Sequence, residues 1–91
     1  MQLKRGDVKG YDSDRAVVEF TMFEEGTAIL CAISTAAMDK LESGRDVTPE
    51  QRIEQFTRLR GRIEERASRK FFEARPQGGR PVVLRSNDLF D

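Results

Sequence analysis

The segment RAVVEFTMFEEGTAILCAI, Arg15–Ile33, reads as two strands around a tight turn. In its first half Ala16, Val18, Phe20 and Met22 fall on one face, and Val17, Glu19, Thr21 and Phe23 on the other. Glu24-Glu25-Gly26 is the turn, with Gly26 suited to a positive φ. Thr27–Ile33 is the returning strand. A two-residue loop at Glu25-Gly26 pairs Met22 with Ile29, Phe20 with Cys31 and Val18 with Ile33. It gathers the most apolar sets of both strands on one face, which favours it. A three-residue loop would turn Ala28, Leu30 and Ala32 to the core instead, and at this level both registers stay open.

On the C-terminal side, Ser34 is a good N-cap for a short helix over Thr35–Glu42, with Ala37, Met38 and Leu41 inward and Gly44 placed to end it. Thr48-Pro49-Glu50-Gln51 is the clearest helix start in the chain: a capping threonine, a proline at the first helical position and a glutamine that closes a capping box. That helix is expected to run to about Glu73, roughly 36 Å. Its core stripe is Ile53, Phe56, Leu59, Ile63, Ala67, Phe71 and Ala74, with Gly61 a weak point inside it. Arg75–Pro81 is a mobile loop rich in proline and glycine, Val82–Arg85 a last strand and Ser86–Asp91 a tail. On the N-terminal side, Leu3 and Val8 suit a short edge strand, and Tyr11-Asp12-Ser13-Asp14 a turn. The order implies a single α+β domain over residues 1–91. Its sheet is small and mainly antiparallel, and one short and one long amphipathic helix pack on one face.

Within Val18–Lys70, Gly26, Cys31-Ala32-Ile33-Ser34, Ala37, Leu41, Phe56, Arg60, Ile63, Ala67 and Lys70 form a pattern. It resembles a small bacterial family of uncharacterised proteins, the domain-of-unknown-function family 1488. Val83-Leu84 and Asp88 extend the likeness, while the first ten residues and the Pro/Gly loop add nothing to it. The resemblance implies a lone α+β domain of about this length, and no activity. Nearly every position in the pattern also has a packing explanation.

Composition narrows the functional classes. The chain of 91 residues has one cysteine and no histidine. No internal disulfide can form, which fits a reducing, cytoplasmic setting. A Ser-His-Asp or Cys-His site is impossible within one chain, and zinc is nearly excluded. No phosphate-cradling glycine motif is present, and Asp12-Ser13-Asp14 lacks the remaining ligands of a calcium loop. Thr27–Ile33, the longest apolar stretch, is too short to span a bilayer, and the N-terminus has no secretory pattern. No cofactor, metal or membrane contact is expected.

Zero net charge conceals an asymmetry. Residues 1–44 carry five basic and eight acidic side chains, whereas residues 45–85 carry eleven basic and six acidic. On a helical wheel Arg58, Arg62, Arg66 and Arg69 share a sector of about 80° opposite the core stripe. Arginine forks bind phosphate, so the row is a candidate for anion or nucleic-acid contact; the plainer reading is a solvated face eased by Glu54–Arg58 and Glu65–Arg69 pairs. No aromatic ring interleaves with the row, so contact would be mainly to phosphates. Arg60 projects near the core stripe and needs a carboxylate or several carbonyls, with Glu19 one candidate partner; it is a buttress or a ligand-gripping arginine. Cys31 reads as a buried, inert thiol. Phe72 and Phe90 form a candidate apolar patch for a partner or for self-association. The expected function is a non-enzymatic interaction or regulatory module with an unknown protein partner or a second copy of itself. The alternative is nucleic-acid binding through the arginine row.

Overall fold

The elements in chain order are β1 (Lys4–Asp12), β2 (Val17–Glu24), β3 (Thr27–Ser34), α1 (Thr35–Leu41), α2 (Arg52–Ala74) and β4 (Val82–Leu84). The structure, a computed structural model, describes residues 2–43, 46–74 and 81–89. Expectations on Gly44, on residues 75–80, on the burial of Ala74, and on Phe90 and Asp91 fall outside these. The hairpin takes the two-residue register, with Phe20 opposite Cys31, Met22 opposite Ile29 and Val18 opposite Ile33. Glu25 and Gly26 have φ of 49° and 82°. Positive φ at both central residues gives the turn a twist that matches the flanking strands.

The strands lie in the order β1-β2-β3-β4, antiparallel except for the last pair. Strand β4 joins β3 in parallel, which requires the helical crossover that precedes it. The result is an α+β fold. Helix α2 lays Phe56, Leu59, Ile63, Ala67 and Phe71 against Val18, Phe20, Met22, Cys31 and Ile33 of the hairpin and Val82 and Leu84 of β4. The rings of Phe20 and Phe56 stand 5.0 Å apart, tilted by 51°. Ala37 and Met38 of α1 complete this core, and Ser34 caps α1 by accepting from the Ala37 N–H at 3.1 Å.

Four local expectations are corrected. The N-terminal edge strand is nine residues long and includes Tyr11 and Asp12. Asp12 Oδ1 accepts from the N–H groups of Asp14 (3.0 Å) and Arg15 (3.3 Å), so the turn begins after it. Ala16, with φ of 56°, is therefore a turn residue and not part of β2. Ile53 is 38% exposed, because the inward position of the first α2 turn goes to Gln55, which is fully buried. Residues Ser86–Leu89 are a 3-10 turn and not a loose tail. A 3-10 turn over Pro49–Gln51 also leads into α2, and there Gln51 Oε1 accepts from the Thr48 N–H at 3.2 Å.

Candidate functional site

The four arginines of the row lie on α2, and two of them hold α1. Arg58 grips Glu42 with two parallel bonds, Nε to Oε2 at 3.0 Å and Nη2 to Oε1 at 2.8 Å. It takes this carboxylate in preference to the expected Glu54, which acts on it only through space. Arg62 Nη1 donates to the Leu41 carbonyl at 3.2 Å. That carbonyl closes α1, where unsatisfied acceptors and the helix dipole favour a cation. Arg69 lies 3.7 Å from Glu65, the expected i,i+4 pair, and Arg66 is half-buried.

Arg60 is a buttress. Its Nε donates to Glu64 Oε2 at 3.0 Å, its Nη2 donates to the Gly6 carbonyl at 2.9 Å, and its guanidinium lies 5.8 Å from the centre of the Phe56 ring. The partner is Glu64 and not Glu19, which instead stands 3.8 Å from Arg15. Glu64 is one helical turn from Arg60 on the same face, whereas reaching Glu19 would mean crossing the packed core. Arg5 on β1 also donates to both oxygens of Glu64. One carboxylate thus ties the edge strand to the long helix.

Two further clusters went unread in the sequence. Asp39 Oδ1 accepts from Arg52 Nη1 at 2.7 Å and from Gln55 Nε2 at 3.0 Å. Burial pushes the Asp39 pKa up, but the bonds from Arg52 and Gln55 and the charge of Arg52 outweigh it, so the net shift is downward. Lys70 Nζ donates to the Val83 carbonyl at 2.6 Å and to Asp88 Oδ2 at 3.0 Å, while Asp88 Oδ2 also accepts from the Arg85 N–H at 2.8 Å. The Asp88 pKa is likewise lowered, burial working against the bonds from Arg85 and Lys70 and the lysine charge.

A family model described as "Protein of unknown function (DUF1488)" matches residues 6–84. The chain belongs to this family. A crystal structure of another DUF1488 protein, from Shewanella loihica PV-4, is similar to the chain with a TM-score of 0.69. It is 19% identical, and the match covers 89% of this chain and 92% of that one. At this identity the likeness speaks for the fold alone. No curated protein matches the chain.

The DUF1488 match begins at Gly6, inside β1, and ends at Leu84. The Arg60–Glu64 buttress and the Asp39–Arg52–Gln55 cluster lie wholly within it, while Arg5 and Asp88 lie just outside. Cys31 is fully buried, and burial pushes its thiol up to about 12, so it stays protonated near neutral pH. Phe72 packs edge-on against Phe71 at 5.2 Å and is half-buried against the core. It lines an open groove of about 370 Å³ with Gln2, Glu65, Ser68, Arg69 and Glu73. Its proposed companion Phe90 is outside the described residues. Among the described residues no group of three or more His, Cys, Asp or Glu is placed to hold a metal, and no helix is long and apolar enough to cross a membrane.

The sheet face turned away from the core is the surface sequence reasoning missed. Cross-strand partners share a face, so Lys4, Phe23 and Ala28 form one row, Thr21 and Leu30 the next, and Glu19 and Ala32 a third, which Val83 extends. Leu30 is 41% exposed at the centre of these rows. The signal was the disfavoured register itself: one set of β3 residues had to face outward, and that set is also apolar. Both sheet edges are blunted. Strand β1 is broken by register shifts between Arg5 and Val8 and between Val8 and Gly10, and carries exposed Lys4 and Lys9. Strand β4 has three residues, follows Pro81, and gives its Val83 carbonyl to Lys70. Such edges resist strand addition.

Proposed function

We propose that this DUF1488 protein is a non-enzymatic interaction module whose outer sheet face docks a second copy of the chain. The observation that carries the reading is Leu30, 41% exposed beside exposed Ala28 and partly exposed Phe23 and Val83 on a sheet with blunted edges. A face with an apolar centre and rim charges of both signs is chemically complementary to itself. The formal net charge of zero puts no long-range repulsion between copies. Absence of catalysis is supported by how the polar groups are spent: Asp39, Glu42, Glu64 and Asp88 each hold a cation, and Cys31 is buried.

Sedimentation equilibrium over a concentration series tests it. The wild-type chain is expected to dimerise, and Leu30→Arg to weaken the dimer at least about tenfold, as loss of a central apolar anchor does. Because Leu30 touches solvent, the variant should melt where the wild-type chain does at concentrations too dilute for the dimer. A wild-type chain that stays monomeric at the highest concentration reached would refute the reading, as would an undiminished Leu30→Arg dimer.

A second reading is contact with a nucleic-acid backbone through Arg58, Arg62, Arg66 and Arg69. Their common face on α2 favours it. The bonds from Arg58 and Arg62 to α1 count against a permanently open interface.

A further inference from the structure

The row of arginines spans twelve residues of α2, eleven helical rises or about 16 Å, close to five base steps along one nucleic-acid strand. A carboxylate held by both prongs of an arginine fork stands in the position a phosphate takes in the same fork. We propose that the C-terminal end of α1 is an internal competitor for this row, with the Glu42 carboxylate occupying Arg58 where a backbone phosphate docks when α1 yields. The proposal rests on the second functional reading above.

Three observations carry it. The Glu42 side chain is only 15% exposed while that of Arg58 is 38% exposed, so an incoming anion meets the cation before it meets the competing carboxylate. Helix α1 has seven residues; Ala37 and Met38 bury fully, but Leu41, beside Glu42, only in part. The end of the helix is held by two cations, Arg58 through its ion pair with Glu42 and Arg62 through a hydrogen bond to the Leu41 carbonyl, and a polyanion competes for both. Arg60, on the same helix, provides the contrast. Its fork is filled from two sides by Glu64 and the Gly6 carbonyl, and it faces β1.

Fluorescence anisotropy with a labelled, mixed-sequence short DNA duplex tests this at low and at physiological ionic strength. Glu42→Gln is expected to bind about fivefold tighter than wild type at low ionic strength, the size one partly exposed charge commands. The gain should fade with salt and vanish when Arg58→Gln is added. If wild type binds and Glu42→Gln binds no tighter, the competition is refuted while the arginine row survives as an interface. If neither binds at low ionic strength, the row is no phosphate surface, and the proposal falls with the reading beneath it. A measurement on the wild type covers the case in which Glu42→Gln melts. The Arg58 Nε–H resonance should move on adding DNA while that of Arg60 stays, and equal movement or none overturns the proposal.

Discussion

Phe56→Ala is expected to destabilise the fold by about 3–5 kcal/mol. The ring is fully buried, packs 5.0 Å from Phe20, and has the Arg60 guanidinium beside it. It is the central contact between α2 and the hairpin, so its removal leaves a cavity bordered by strands that cannot collapse without breaking their ladder. A chain of this length holds roughly 5–13 kcal/mol in all, so the variant sits near the edge of folding. A thermal melt should show a drop on the order of 20 °C. Leu30→Ala, on the exposed face, should move the melt by no more than a few degrees. Equal melts for the two variants would mean that Phe56 is not the hinge between sheet and helix.

Glycine substitutions should separate by sign. At Gly6 an added Cβ would lie 2.4 Å from the Thr21 carbonyl oxygen and 2.6 Å from its hydroxyl. The first of these is backbone and cannot swing away. Strand β1 comes this close because the Asp7 N–H donates to Thr21 Oγ1 at 2.9 Å, and the Gly6 carbonyl accepts from Arg60. Gly6→Ala therefore forces β1 off β2, at an expected cost of about 2–3 kcal/mol. At Gly61, on an open helical face, an added Cβ meets nothing within 4 Å. Gly61→Ala should stabilise by about 0.5–1 kcal/mol. Chemical denaturation of both variants measures the two shifts; a neutral Gly6→Ala would contradict the close approach of β1.

The hairpin was legible from two alternating strands around a turn signal, while the difference in apolarity between its faces favoured the observed register without settling it. The long helix was legible from its start signal and stripe. Of strand β1 the sequence showed a short edge strand and not its nine-residue length, since the register shifts that flank Val8 break the alternation from which a strand is read. Gln55 and Ser68 could not be placed in the interior from composition. Each is buried only because a distant group satisfies it: Asp39 for Gln55, and for Ser68 the Leu3 N–H, which donates to its Oγ at 3.0 Å. The four arginines of the row do lie on the long helix. Engagement of the row by Glu42 and the Leu41 carbonyl depends on how α1 docks, which no periodicity encodes.

The parallel register of the last strand bears on the order of events during folding. Cys31 and Val82 pair although 51 positions separate them in the chain, whereas the hairpin closes over two residues. Chain entropy makes the short closure early and the long one late. The docking of Val82 and Leu84, with the lysine clamp behind them, therefore belongs to the downhill side of the barrier. In stopped-flow kinetics Val82→Ala should quicken unfolding and leave refolding almost unchanged, and a slowed refolding limb would place the strand in the nucleus instead.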